Sequence, residues 1–394
     1  MSKIDELIAQ FCPEGVELKE LGEILTYQQP TKFIVKSTNY DNSLTVPVLT
    51  AGQSFILGFT DEQEGIYNAT EDNPVIIFDD FTTSFHWVDF AFKVKSSAMK
   101  LIKPLNRDDI SFRYIYYAMK CILYKPQDHA RQWISIYSKI HIPFPPLPVQ
   151  EEIVKILDKF TQLEAELEAE LEARTRQYEY YRNQLLAFEG KEVEWKTLGE
   201  LGTFTRGKRF VRTDMIDEGF PCLHYGEMYT HYSVFATKSK SFISHELAKK
   251  LRVANPGDVV IVAAGETIED IGKGTAWLGT SDIVTHDACF SFKSPLNPKY
   301  VSYFLRTRLF HDQIKRHISS GKISSINAKG LATAKIPVPP LEEQERIVKI
   351  LDQFDALVND ISVGLPAEIK ARRAQYKYYR GKLMTFKEKN SVSA

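Results

Sequence analysis

The nineteen residues IPFPPLPVQEEIVKILDKF, Ile142 to Phe160, recur almost unchanged as IPVPPLEEQERIVKILDQF, Ile336 to Phe354. The copies begin 194 positions apart in a chain of 394 residues. A repeat of that period constrains the architecture more than any single motif, because each copy must find the same kind of packing partner. The match continues downstream, where RQYEYYRNQLLAF, ending at Phe188, pairs with AQYKYYRGKLMTF, ending at Phe386. The second copy has gained four residues between the matched blocks. Upstream, LKELGEI (18–24) pairs with WKTLGEL (195–201). The long segments between each LGE start and each IPxPP block do not resemble each other. The chain reads variable–shared–variable–shared.

The shared parts carry a helical period. A proline pair cannot sit inside a helix, so Pro145-Pro146 and Pro339-Pro340 mark where each one begins. Beyond the first pair, apolar residues fall at Ile153, Ile156, Phe160, Leu163, Leu167, Leu171, Tyr178, Tyr181, Leu185 and Phe188. That is a heptad seam with one stutter. The spacing predicts a helix from Gln150 to Phe188, about 58 Å long at about 1.5 Å per residue. Its counterpart runs from Gln344 to Phe386, with a break expected at Gly364 and Pro366. Two such helices in one chain can pair antiparallel, which places the variable parts about a pseudo-twofold axis.

The expected fold class is α+β: two β-rich globular domains separated by two long antiparallel helices, in an internal repeat. Short β-branched and aromatic runs support the β-rich reading, among them TVPVLTAG, PVIIFDDFTT, DVVIVAAGE and DACFSFKS. RDDISFRYIYYAMKCIL and KYVSYFLRTRLFHDQIKRHI read as helices, and the Trp133 side chain as core. The expected boundaries are an N-terminal helical segment 1–15, a first domain 16–141, a first spacer 142–190, a second domain 191–335, a second spacer 336–388 and a tail 389–394.

Fifty basic and 51 acidic residues leave a net charge of −1, so any basic surface must be local. The four cysteines form no CxxC, and no histidine cluster has zinc spacing, so no metal is expected. No apolar run reaches membrane-spanning length and MSKIDELIAQ lacks a signal-peptide core, so the expectation is a soluble, cytoplasmic protein with no membrane contact. EDNPVIIF lacks what an adenine methyltransferase loop needs, NPGDVVIVAAGE is no strand–GxGxxG–helix unit, and FDDF has no E-x-K after it. No catalytic residue and no cofactor is expected of this chain.

IPxPPLxxQexIVkILDxF followed by QYxYYRxxLLxF, with the LGE starts and CPEGVELKELGEI near the N-terminus, resembles the specificity (S) subunits of type I restriction–modification enzymes. The resemblance runs from about Glu6 to Phe386, and LEAELEAE (Leu163–Glu170) is similar to the tetrapeptide repeats of the IC-type branch. It implies two target-recognition domains, each reading one half of a bipartite, asymmetric double-stranded DNA site. It also implies two separate modification (methyltransferase) subunits and motor-nuclease restriction subunits as partners, with no chemistry in this chain. The competing readings are a helical scaffold with two protein-binding domains and a self-contained enzyme.

Direct readout needs donors and acceptors on loops, with cations on the phosphates. In the first domain the candidates are Tyr27, Gln28, Gln29 and Lys32 in YQQPTKF, Thr82 and Thr83 in FDDFTTSF, and Arg131 and Gln132 in RQWIS. Either Gln28 or Gln29 suits an adenine edge. In the second, TRGKRFVR offers Arg206, Lys208, Arg209 and Arg212, the densest basic patch of the chain. LHYGEMYTHY, similar to a recurring recognition loop of the family, offers His224, Tyr225, Glu227 and Tyr229, with Glu227 suited to a cytosine amino group. SSGKISSI offers Lys322 and Ser324. YQQPTKF also reads as a polar surface turn and FDDFTTSF as a strand end with a solvated turn, whereas TRGKRFVR is read as phosphate-binding. The seam residues Leu163, Leu167 and Leu171 are the spacer candidates. Tyr181, Arg182, Tyr379 and Arg380, in the matched QYxYYR blocks, are the candidates for docking a partner; their bland alternative is packing between the helices.

A helix that sets the gap between half-sites behaves as a ruler. One inserted LEAE adds about 6 Å and a net rotation of about 40°. One base pair turns about 34–36°. Length and twist together best fit one added base pair. Insertion or deletion of LEAE, followed by genome-wide mapping of methylated adenines, is expected to shift the spacer by one; an unchanged spacer in an active complex removes the ruler.

Overall fold

The computed structural model describes residues 2–52, 54–105, 108–127 and 130–389. Of the tail 389–394, all but the first residue lies outside them. The chain divides into two compact units: Met1–Glu166 with Lys370–Ala394, and Leu167–Ile369. Each unit therefore holds one variable segment, the head of the helix that follows it, and the tail of the other helix.

In the first unit an antiparallel sheet runs in the order Leu25–Gln28, Met99–Pro104, Val75–Asp79, Phe85–Val88. A second sheet runs Ile56–Thr60, Val46–Leu49, Ala91–Val94, Tyr67–Asn68. The apolar run PVIIF is continuous because its strand is covered on both faces. Side chains alternate along a strand, so Ile76 and Phe78 enter the core beneath the helices while Val75 and Ile77 enter the core of the second sheet. The second unit repeats the plan with five strands per sheet: Thr203–Arg206, Cys289–Lys293, Val259–Val262, Gly274–Trp277 and Phe235–Ala236 in one, and Met215–Ile216, Ser241–Ile243, Phe220–Leu223, Ile283–Thr285 and Val253–Ala254 in the other.

The repeated residues close each unit in the same way. The strand before the first LGE, Glu17–Glu20, pairs with His141–Phe144, and Trp195–Thr197 pairs with Lys335–Pro337. Leu21 and Leu198 of the LGE turns are fully buried. After the proline pair, Gln150 and Gln344 are buried. The Gln150 Oε1 accepts the Ser111 N–H (2.9 Å) and its Nε2 donates to the Pro145 carbonyl (2.7 Å). Gln344 does the same with the Asn297 N–H (2.9 Å) and the Pro339 carbonyl (2.9 Å). Two turns on, Asp158 accepts from the Tyr117 hydroxyl and from Arg113 (2.9 Å). Asp352 accepts from the Tyr303 hydroxyl and from Lys299 (2.7 Å each). Tyr114 and Tyr300 each donate to the proline carbonyl of their own IPxPP block, at 2.9 and 3.0 Å.

The first long helix is Leu147–Ala187, and the second is split into Leu341–Asn359 and Leu365–Leu383. The break falls where Gly364 and Pro366 predicted it. Asp360 caps the turn through its Oδ1, which accepts the Ser362 N–H (2.6 Å). A Cβ on Gly364 would lie 2.4 Å from the Ala356 carbonyl oxygen, so only glycine fits. Within the first unit, Phe160 stacks on Tyr379 (5.6 Å) and Glu164 pairs with Arg373 (2.6 Å), an antiparallel register. Within the second, Tyr181 stacks on Phe354 at 5.5 Å, the same pair with the copies exchanged.

The seam differs from the heptad reading in one respect. Leu157 and Leu186, off the predicted stripe, are fully buried, while Tyr181 on it is 40% exposed. Leu157 belongs to the core of the first unit and Leu186 to that of the second, so within each unit the buried face of the helix is wider than a two-helix seam.

Replacing Gln344 by leucine strands a buried N–H and a proline carbonyl. Each unsatisfied group costs about 1–3 kcal/mol. Gln344→Leu, and Gln150→Leu equally, is expected to lower stability by about 2–4 kcal/mol, read as a shift of the urea midpoint.

Candidate nucleic-acid interface

In the second unit, strand ends bring the three predicted stretches around one cavity of about 620 Å³. TRGKRFVR leaves the strand Thr203–Arg206 and turns at Gly207. A Cβ there would lie 2.2 Å from the His286 carbonyl oxygen, so glycine is what lets the basic loop cross the Thr285–His286 backbone. The loop is anchored by its backbone, with the Gly207 N–H on the Cys289 carbonyl (3.0 Å) and the Lys208 N–H on the Thr285 carbonyl (3.2 Å). Arg209 and Arg212 then line one wall, His224 and Tyr225 another, and Ile323, next to Lys322, a third.

The four basic residues divide into two pairs. Arg206 donates from Nε to the Asp287 carbonyl (2.9 Å), and Lys208 to the Lys250 carbonyl (2.9 Å). Arg209 and Arg212 are exposed and join no ion pair among the described residues. They are free to meet phosphate.

The inner wall is aromatic. His224 and His286 lie with ring centroids 4.8 Å apart, and both pack on Phe210 and Tyr225. The His224 Nδ1 accepts the Gly226 N–H (3.3 Å). Burial lowers the His224 pKa, against a raising effect of Glu227. Burial likewise lowers that of His286, against Asp287 and with help from His224 and Arg209. The His286 Nδ1 sits 3.1 Å from the Ala288 N–H and 3.0 Å from an Asp287 carboxylate oxygen, so it accepts from the first when neutral and donates to the second when protonated.

In the first unit the corresponding stretches meet at a buried ion pair. Lys100 lies 3.1 Å from Asp80, with both side chains at most 2% exposed. The Lys100 ammonium also sits 4.3 Å over the Tyr27 ring. Asp80 accepts the Trp133 N–H on its carboxylate and the Gln132 N–H on its carbonyl, both at 2.8 Å. YQQPTKF, FDDFTTSF and RQWIS are thereby tied together. Tyr27, Gln28, Gln29, Lys32, Thr82 and Arg131 are exposed.

Four predicted contact residues have other employment. Gln132 is fully buried, its amide accepting from Tyr124 (2.7 Å) and donating to the Ala130 carbonyl (2.8 Å). Glu227 is 7% exposed and accepts the His224 N–H (3.0 Å) and the Ser241 hydroxyl, so it shapes the loop and offers no oxygen to a base. Ser324 is buried in a short pairing with Gly265. Thr83 is buried at a positive φ of 58°, its hydroxyl on the Thr82 carbonyl (2.7 Å). A polar residue that completes a loop's own hydrogen bonds looks, in sequence, like one that faces solvent. Trp133 is core, as expected. Tyr229 is 37% exposed and its hydroxyl donates to the Ala264 carbonyl (3.2 Å), pressed against Gly265.

Lys100 and His286 are the residues that reading the sequence missed. Lys100 is a lone charge in the apolar run MKLI, which signals a buried partner. His286 sits in THDACF, between two buried strands. Of the spacer candidates, Leu163, Leu167 and Leu171 are half-buried. Of the docking candidates, Tyr181 and Tyr379 are 40% and 37% exposed, and Arg182 and Arg380 are half-buried over Tyr178 and Tyr376.

Two strand-built modules closed by repeated helices, each gathering polar loops at its strand ends, define a paired recognition protein. The family model for the type I restriction modification DNA specificity domain matches residues 13–173 and again 190–371. The type I restriction enzyme EcoR124I/EcoR124II specificity subunit of Escherichia coli is 40% identical, over 100% of this chain and 99% of its own. A putative type I restriction enzyme specificity subunit of Haemophilus influenzae is 31% identical, over 94% and 96%. Among solved structures, the type I restriction–modification S subunit from M. genitalium aligns at TM-score 0.54 and 14% identity, over 93% of this chain and 96% of that one. A chain from a study of assembly and conformational transition in the type I R-M system aligns at 0.56 and 18%, over 94% and 98%. The chain belongs to the family of type I restriction–modification DNA specificity subunits.

Because both histidines have pKa values below their usual 6.5, the unfolded chain binds protons there more readily than the folded one. Their contribution to stability is present above about pH 6.5 and lost as pH falls below it. The thermal midpoint is expected to drop between pH 7.5 and 5.5, and His286→Asn, which keeps an acceptor for the Ala288 N–H without titrating, is expected to flatten that slope.

Proposed function

We propose that the two units read the two halves of a bipartite double-stranded DNA site, each through the strand-end surface described above. The chain is the recognition, non-catalytic component of its system; methylation and cleavage fall to separate modification and restriction subunits. The observation that carries this reading is the meeting of three separate polar stretches around one cavity in the second unit, with two unpaired arginines on its wall.

In the second unit Arg209 and Arg212 meet phosphates, Arg206 and Lys208 support the loop and its charge, and His224, Tyr225, Tyr229 and Lys322 face the groove. In the first, Gln28 or Gln29 pairs with an adenine edge, Arg131 meets guanine or phosphate, and Tyr27, Lys32 and Thr82 flank them. Glu227, Gln132, Ser324 and Thr83 hold these loops in shape. The helical spacer, with Leu163, Leu167 and Leu171, sets the gap between the halves. Two modification subunits dock, one per unit, against Tyr181 and Arg182 and against Tyr379 and Arg380. No helix among the described residues is long and apolar enough to cross a membrane, which fits work in the cytoplasm.

The test is reconstitution with the modification subunits, followed by measurement of DNA binding against salt and mapping of methylated adenines. Binding is expected to be sequence-specific and salt-sensitive. Arg209→Ala and Arg212→Ala are each expected to weaken it uniformly across sequences and to reduce the slope of log affinity against log salt by about 1. Equal binding to random and genomic DNA, with no methylated motif, leaves the scaffold reading in its place.

A further inference from the structure

The short strand Ala264–Gly265 ends at the cavity of the second unit and is held on several sides. It pairs antiparallel with Ser324–Ser325, in the register Ala264↔Ser325 and Gly265↔Ser324. The Ala263 and Ala264 N–H groups both donate to the Ala288 carbonyl (2.7 and 3.1 Å). The Tyr229 hydroxyl donates to the Ala264 carbonyl (3.2 Å), and a Cβ on Gly265 would collide with that hydroxyl oxygen. Glu266, the next residue, leaves the strand from a fixed backbone. Continued by one step, the same register sets Glu266 beside Ile323, and both side chains line the cavity.

Two acids line this cavity among the described residues. Asp287 is half-buried, with a carboxylate oxygen 3.0 Å from the His286 Nδ1. Glu266 is exposed and joins no hydrogen bond or ion pair among the described residues, so neither Arg209 nor Arg212 neutralises it. Ile323 is 63% exposed, an apolar side chain standing in water between Lys322 and the buried Ser324. A solvated turn accounts for the acid but not for an exposed isoleucine at the same end of the strand pair. An occupant with a hydrogen-bond donor and an apolar edge side by side accounts for both.

A free carboxylate on a surface that meets DNA opposes the phosphates, so its return must come from donors on the bases. The major groove offers two, the N6 amino group of adenine and the N4 amino group of cytosine. The adenine amino group stands beside the N7 acceptor, which repels the second carboxylate oxygen and suits an amide instead. The cytosine amino group stands beside the C5–H edge, which is apolar. Guanine and thymine present acceptors, O6 with N7 and O4, to which a carboxylate cannot bond. Of the four bases, cytosine alone sets an amino donor next to an apolar edge.

We propose that Glu266 is a specificity-determining residue for a C·G pair in the half-site read by the second unit, an assignment that rests on the function proposed above. Its carboxylate accepts the groove-facing hydrogen of the cytosine amino group, and Ile323 packs against the C5 edge of the same base. Glu266 thus takes the role that sequence reading gave to Glu227, whose oxygens are engaged within their own loop by the His224 N–H and the Ser241 hydroxyl.

The test uses the complex reconstituted with modification subunits and the DNA site that its methylated adenines define. Each base pair of the site is varied in turn, and each cytosine is replaced by N4-methylcytosine. That base keeps its pairing with guanine and carries a methyl group where the groove-facing hydrogen was. The wild-type complex is expected to lose about tenfold in affinity when one cytosine of one half-site is so replaced. Glu266→Gln is expected to show no further loss at that base, to accept A·T there as an amide does, and to bind random DNA more tightly because a negative charge is gone. Base preference in the other half-site and the thermal midpoint of the free chain are expected to stay as in the wild type, which shows that the variant is folded. Tolerance of N4-methylcytosine at every position by the wild type overturns the proposal. So does a Glu266→Gln complex with wild-type base preference throughout, or one whose preference relaxes in both half-sites. A wild-type complex with no sequence preference overturns the functional reading instead, and is recognised before any variant or modified base is compared.

Discussion

One buried glutamine closes each unit. A proline pair ends the strand before each long helix; the second carbonyl of the pair accepts helix N–H groups, from Val149 and Gln150 or from Glu343 and Gln344, and the first is met by a side chain. Gln150 and Gln344 do this with one side-chain amide: the nitrogen satisfies that first carbonyl, and the oxygen takes the N–H of Ser111 or Asn297. Those two residues are the N-caps of the helices Phe112–Met119 and Pro298–Phe304. The start of the spacer helix is thereby fastened to the start of a helix of its module. Asp158 and Asp352 repeat the fastening two turns on, through a tyrosine and a cation each. Since buried polar groups are costly when unpaired, this set of residues cannot drift singly, which is why the same stretch occurs twice.

On that common frame the two loop surfaces are built with different chemistry. The first unit spends a buried Asp80–Lys100 pair to hold three loops together. Such a pair is a weak source of net stability but a strong penalty on any arrangement that separates its members. The second unit uses a glycine crossing at Gly207 and a cluster of His224, His286, Phe210 and Tyr225 around an open cavity. Loops mounted on rigid strand ends can change their residues without disturbing the core below. The variable segments accordingly share strand order and little sequence.

The long helices show how far periodicity reaches. Their start after the proline pairs and the interruption at Gly364 were legible, because proline and glycine act through local backbone geometry. The width of the buried face was not, because Leu157 and Leu186 pack on the globular module as well as on the partner helix. The polar picks fared by a similar rule. Arg209 and Arg212, in a run too dense in charge to be buried, stand exposed. Gln132, Glu227 and Ser324 resemble them in polarity but complete hydrogen bonds within the fold.

The sequence by itself determined the repeat, the two-helix plan, the break in the second helix and the family, since each depends on local chemistry or on likeness between two stretches of one chain. Only the tertiary structure decided which polar residues face outward and that Lys100 and His286 stand among the loops. Those facts depend on contacts between residues far apart in the chain, and no spacing along the chain encodes which of two equally polar side chains will find its partner inside.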